Sequence, residues 1–205
     1  MPLGRLPIQG SVNDVRIFLR LTIVLAVVLA LVVVELSSRS GVLWRLVTFT
    51  YQANVLAAAY YAWSLVSPRA DARTGLRGAA VLYVVVAGVI WNLFLTGHSM
   101  GYTPANVILH VVVPLLAVTD WLLVGRGEGA VRWWQPFAWL AYPAAYAGLA
   151  LLVLNNAGRR APYYFLDPGS VGIAAVLANT TILALGFLAS GYVLLALARR
   201  PSANA

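Results

Sequence analysis

Apolar residues dominate six stretches of the chain, roughly 17–36, 42–66, 79–97, 105–124, 133–154 and 171–198. The ends of each are set to within about two to four residues. At 1.5 Å of rise per residue, a helix needs about 20 mostly apolar residues to cross a bilayer's hydrocarbon, so each stretch predicts a spanning helix. The first runs to Glu35 and shows no small-residue cleavage site after a short apolar core, so it is expected to be a retained span and not a signal peptide. The connections are short, no internal or inverted repeat is visible, and nothing marks a second domain. The expected fold is an all-α integral membrane protein, a six-transmembrane-helix bundle forming a single membrane domain over residues 1–205.

The second stretch breaks the apolar pattern. It carries TFTYQANVLAAAYY over residues 48–61, with two threonines, a glutamine and an asparagine. Polar groups at membrane depth usually face the bundle interior, where they are paired or functional. Thr50, Asn54, Ala57 or Ala58, and Tyr61 recur at three- or four-residue steps and form one polar and small stripe. Such a stripe lines a cavity or makes an interhelical hydrogen-bond seam, and both readings stay open. Thr48 points to the opposite side, and the plainer reading of both Thr48 and Thr50 is a hydroxyl returned to a carbonyl one turn earlier. Gln52 lies off the stripe and reads as a satisfied interhelical amide.

The fourth stretch, GYTPANVILHVVVPLLAVTDWLL, puts Asn106, His110 and Pro114 on one face. His110 is the only histidine inside a predicted span. A lone intramembrane histidine is commonly a hydrogen-bonded core residue, yet a neutral imidazole is also suited to general-base work. If both helices enter from outside, Thr50 lies about 12 Å in and His110 about 7–8 Å in, so the two can meet where the helices are neighbours. Asp120 is too far along its helix to orient the same ring and is expected to pair with Arg126 or Arg132, or to anchor the region beside Trp121.

Composition narrows the function classes. The 205 residues are 61% hydrophobic and 10% charged, with a mean hydropathy of +0.84, outside the range of ordinary soluble domains. Without cysteine there is no disulfide, thiolate catalysis or cysteine metal site, and two histidines are too few for a histidine cluster. No metal and no cofactor are expected. The net charge of +8 comes from arginine alone and is scattered between apolar runs, which points to anionic headgroups and not to nucleic acid. Arg5, Arg16, Arg20, Arg69, Arg73, Arg77, Arg126, Arg132, Arg199 and Arg200 fall on one side of the predicted topology, against Arg39, Arg45, Arg159 and Arg160 on the other. That asymmetry predicts a multi-pass protein of the inner (plasma) membrane with both termini cytoplasmic.

The strings TFTYQANVLAAAYY and NVILHVVVPLLAVTDWLL, with APYYFLDP in an outer loop, resemble the androgen-induced protein and ADTRP family of membrane hydrolases, most nearly its bacterial six-span relatives. The resemblance covers roughly residues 40–170. It implies a threonine nucleophile and a histidine base for hydrolysing fatty acid esters of hydroxy fatty acids. The family's threonine precedes an aromatic pair by ten and eleven residues, so Tyr60 and Tyr61 select Thr50 over Thr48, and the histidine carries over to His110.

A threonine hydroxyl attacks an ester only when a base takes its proton, and the tetrahedral oxyanion then needs donors. A helix interior offers no free backbone amides, so side chains are expected to serve: Asn54, Asn92, Asn179, Tyr142 and Tyr146 are the candidates, each also readable as a contact that pairs helices. In the outer loop, Tyr163, Tyr164 and Phe165 suit a membrane interface, and Arg159 and Arg160 either attract a fatty carboxylate or lie among headgroups. With Asp167 they form a candidate lid; a plain interfacial loop is the other reading. The expected partners are membrane lipids and a lipid ester substrate. The competing functions are a small-molecule or lipid transporter or binding protein using the same cavity without chemistry, and an assembly subunit whose polar residues only join helices.

Overall fold

A computed structural model describes residues 8–37, 45–97, 101–124, 131–154 and 163–198. Among these residues the regular structure is entirely helical. The main elements are α1 (Ile8–Ser37), α2 (Phe49–Val66), α3 (Pro68–Asp71), α4 (Thr74–Ile90), α5 (Pro104–Val107), α6 (Val113–Leu123), α7 (Gln135–Trp139), α8 (Ala141–Gly148), α9 (Pro168–Val171) and α10 (Ile173–Ala198). A π turn continues α4 over Trp91–Leu95, another joins α5 to α6 over Ile108–Val112, and a third extends α8 over Leu149–Leu154.

Among the described residues, four continuous helical stretches are long and apolar enough to cross a bilayer: Val12–Ser37, Thr74–Leu95, Pro104–Leu123 and Ile173–Ala198. The second and fifth of the six predicted spans fall short of that description for different reasons. Helix α2 has 18 residues and carries Thr50, Gln52 and Asn54 in its first half. The fifth stretch is divided into α7, α8 and a π turn, with Pro136 and Pro143 removing backbone donors from it.

Among the described residues, the second stretch is broken by a turn near its start. Helix α2 begins at Phe49, after a turn in which the Thr48 amide bonds to the Arg45 carbonyl at 2.9 Å. Thr50 therefore lies in the first turn of the helix, where backbone N–H groups have no partner one turn back.

Helices α1, α2, α4 and α6 close a ring, α1 on α2, α2 on α4, α4 on α6 and α6 on α1, while α10 packs on the outside of α4. Ile23, Val27, Ala53, Ala57, Val81, Leu82, Val84, Val113 and Ala117 fill the centre, and all are essentially inaccessible. Large apolar side chains such as Phe18, Leu25, Leu115 and Ile182 point outward, which suits a lipid surround. Two glycines set close approaches: a Cβ on Gly78 would sit 2.4 Å from the Trp139 ring, and one on Gly88 would sit 2.5 Å from the His110 carbonyl oxygen.

One end of the ring is tied by charge. Arg16 bonds Asp71 at 2.5 Å, Arg20 reaches Asp71 at 2.6 Å and Asp120 at 3.1 Å, and Arg77 lies 3.9 Å from Asp120 and over the Trp121 ring. Asp120 thus takes Arg20 of α1 and Arg77 of α4 as partners, in place of the Arg132 expected from sequence; Arg126 is outside the described residues. The reason is topological: α6 runs beside α1 and α4, which brings Arg20 and Arg77 to Asp120. At the other end, Arg45 bonds Glu35 and joins the entry of α2 to the end of α1.

Candidate active site

Thr50 and His110 come together between α2 and the π turn of the fourth stretch. The Thr50 Oγ1 lies 3.2 Å from His110 Nε2, and both residues are buried, at 7% and 6% exposure. The other ring nitrogen, Nδ1, sits 2.9 Å from the Asn106 carbonyl oxygen. A carbonyl only accepts, so Nδ1 carries the proton and Nε2 presents a lone pair to the threonine hydroxyl. This is the arrangement a general base requires.

The local fold explains how the ring is held. The Thr103 hydroxyl accepts the Asn106 amide and Pro104 occupies the first turn, so α5 starts at a defined point. The wider π turn over Ile108–Val112 then sets His110 against α2; such turns are frequent at functional sites. Trp91, at the start of another π turn, stacks on the imidazole with ring centroids 4.6 Å apart and planes 16° apart. Asn92 donates to the Gly88 carbonyl at 2.8 Å and to the His110 carbonyl at 3.4 Å, clipping the third stretch to the fourth behind the ring.

The remaining candidates divide by what they touch. Asn54 donates to the Thr50 carbonyl at 2.9 Å and the Leu109 carbonyl at 3.4 Å, so the polar stripe of α2 is a seam below the site, with Thr50 at its open end. Asn179 donates to the Phe165 carbonyl at 2.9 Å and fixes the turn that carries Tyr163 to α10. Tyr142 donates to Gln52 Oε1 at 2.5 Å, which makes Gln52 an interhelical amide. Thr48 returns its hydroxyl to the Arg45 carbonyl at 2.8 Å. Asp167 caps α9 through the Gly169 amide and the Ser170 hydroxyl. Tyr164 packs edge-on against Phe165. Arg159 and Arg160 lie outside the described residues.

Tyr163 is the residue whose position the sequence did not reveal. The sequence offers it as one aromatic of an interfacial loop or candidate lid, with no sign of a contact to Thr50, yet its phenol oxygen lies 3.4 Å from the Thr50 amide nitrogen. Burial pushes this phenol above its ordinary value. Tyr146 faces it edge-on and is itself buried.

Two apolar spaces flank the pair. One, of about 160 Å³, is bounded by Thr50, Phe49, Tyr146, Tyr163, Leu183 and Phe187 and lies between α8 and α10. That is about the size of an engineered cavity known to admit benzene. The other, of about 390 Å³, is an open groove along Gly88, Asn92, His110, Pro114 and Leu115. The nucleophile candidate borders one space and the base candidate the other.

No family model, curated protein or solved structure matches the chain. The functional reading therefore rests on the residues and their geometry.

Proposed function

We propose that the protein is an intramembrane hydrolase of fatty acyl esters, with Thr50 as nucleophile and His110 as base, in a six-span bundle of the inner membrane with both termini cytoplasmic. The single observation that carries this reading is the 3.2 Å contact between Thr50 Oγ1 and His110 Nε2, made by a ring whose other nitrogen is committed to the Asn106 carbonyl. Fatty acid esters of hydroxy fatty acids are the substrates suggested by the resemblance of these residues to the androgen-induced protein and ADTRP family.

In the proposed reaction Thr50 Oγ attacks the ester carbonyl carbon while its proton passes to His110 Nε2. The tetrahedral intermediate collapses as the carbon–oxygen bond to the alcohol breaks, and the leaving oxygen takes the proton from Nε2. Water then gives a proton to Nε2 and attacks the acyl-threonine; collapse releases the fatty acid and returns the proton to Thr50. The cation formed at each stage is bonded through Nδ1–H to the Asn106 carbonyl and faces the Trp91 ring, which favours a positive charge over its π face. The Asn106 carbonyl does here what a carboxylate does in the serine hydrolase triad, fixing tautomer and ring orientation.

The test is turnover by the purified protein in detergent with p-nitrophenyl acyl esters. Wild type and Thr48→Ala should hydrolyse them, and Thr50→Ala and His110→Ala should not. Hydrolysis that survives Thr50→Ala contradicts the reading. Saturable acyl-chain binding without turnover in wild type favours the transporter or binding protein, which the apolar space beside Thr50 also suits.

A further inference from the structure

The hydrolase reading leaves the oxyanion without a donor, and the start of α2 offers one. Thr48 has the extended backbone of a helix N-cap, with φ −84° and ψ 141°, but its side chain makes no capping hydrogen bond. Its hydroxyl is turned back to the Arg45 carbonyl. The first-turn amides of α2 are left facing Tyr163 and Tyr146, at the end of the helix where backbone dipoles favour negative charge.

Two observations point these groups at a ligand. The Tyr163 phenol oxygen lies 3.4 Å from the Thr50 amide nitrogen, both on the wall of the apolar space that Thr50 borders. On the same wall, the Tyr146 hydroxyl is buried, with 6% of the residue exposed; it makes no well-formed hydrogen bond among the described residues, and its polar neighbours are the Tyr163 hydroxyl and the Phe49 backbone. A buried hydroxyl left unmatched is costly, so a site that matches it only when occupied is a reasonable place for it.

We propose that the oxyanion formed during attack by Thr50 is held by the Thr50 backbone N–H and the Tyr163 hydroxyl, with Tyr146 as a positioning residue that orients the Tyr163 phenol. Two donors 3.4 Å apart leave room for one oxygen at about 3 Å from each, the distance such stabilisation requires. The nucleophile's own amide is then one of the donors, so the oxygen lies beside the carbon under attack. On substrate binding the Tyr163 oxygen gives up the Thr50 N–H and turns its proton to the same oxygen. The inference rests on Thr50 being the nucleophile.

The experiment measures steady-state hydrolysis of a matched p-nitrophenyl ester and its thionoester, in which sulfur replaces the carbonyl oxygen, by wild type, Tyr163→Phe, Tyr146→Phe and Thr50→Ala. For Tyr163→Phe, kcat on the oxygen ester should fall about 10²–10³-fold. KM should change by less than about threefold, since the lost bond forms mainly in the transition state. The preference for oxygen over sulfur should shrink in the same variant, because sulfur accepts a hydroxyl proton poorly; a purely structural role for Tyr163 would not change that ratio. Tyr146→Phe should lower kcat by a smaller factor in the same direction. If Thr50→Ala is inactive but Tyr163→Phe keeps kcat and the oxygen-to-sulfur ratio near wild type, the oxyanion assignment is overturned while the hydrolase stands. If wild type does not hydrolyse the ester, or Thr50→Ala does, both fall together.

Discussion

His110 Nε2 and Thr50 Oγ1 are 3.2 Å apart although 60 positions separate the residues in sequence. The contact joins the first turn of α2 to the π turn between α5 and α6. It depends on the third stretch, α4 with its π turn, which wedges Gly88 and Trp91 behind the ring.

Gly88 is the closest part of that wedge. A methyl group there meets the His110 carbonyl at 2.5 Å, which is backbone and has nowhere to rotate. Gly88→Ala should push the imidazole off Thr50 and lower kcat at least tenfold. Gly186→Ala, where the added carbon meets nothing within 4 Å, should leave kcat within twofold, so the pair of variants separates position from a general effect of glycine loss.

Trp91 is expected to act on the charged form of the ring. Its stack on His110 favours an imidazolium by roughly 1–2 kcal/mol in a desolvated site. Trp91→Leu should slow turnover about 5–30-fold, and Trp91→Phe, which keeps a π face, should recover most of that loss. Equal losses in the two variants would assign Trp91 to packing alone.

Much of this was legible beforehand, and the reasons differ by element. The stripe through Thr50, Asn54, Ala57 and Tyr61 follows from helical period, and all four are buried. Thr50 contacts His110, whereas Thr48 contacts the Arg45 carbonyl. The turn between Arg45 and Thr48 was not legible, because hydropathy does not register it. That turn puts Thr50 in the first turn of a helix, where its amide bonds the Tyr163 phenol and not a backbone carbonyl. Pairings of Asp120 were hidden for another reason: its partners come from α1 and α4, and no local pattern encodes which helices are neighbours.

The charge cluster should matter for stability more than for rate. Asp120 is wholly inaccessible, and removing its charge leaves Arg20 and Arg77 buried without it. Breaking one member of a buried ion pair typically costs about 3–5 kcal/mol. Asp120→Asn should lower the thermal midpoint in detergent markedly, and Asp120→Asn combined with Arg20→Met should cost less than the sum of the two single changes.

The apolar space beside Thr50 should set acyl-chain preference. Ala184 of α10 lines it, and Ala184→Phe would fill much of about 160 Å³. Activity on long-chain p-nitrophenyl esters should drop relative to acetate or butyrate esters. An unchanged chain-length profile would place the acyl chain elsewhere, and the groove beside His110 would be the next position to fill.

The most direct test of the account is to find which atom becomes acylated. Purified protein, quenched in acid during turnover of a p-nitrophenyl ester and digested for peptide mass spectrometry, should carry the acyl group on Thr50 in wild type. His110→Ala should carry none. An adduct on another residue, or one that forms equally in His110→Ala, would contradict the assignment of Thr50 and His110 as nucleophile and base.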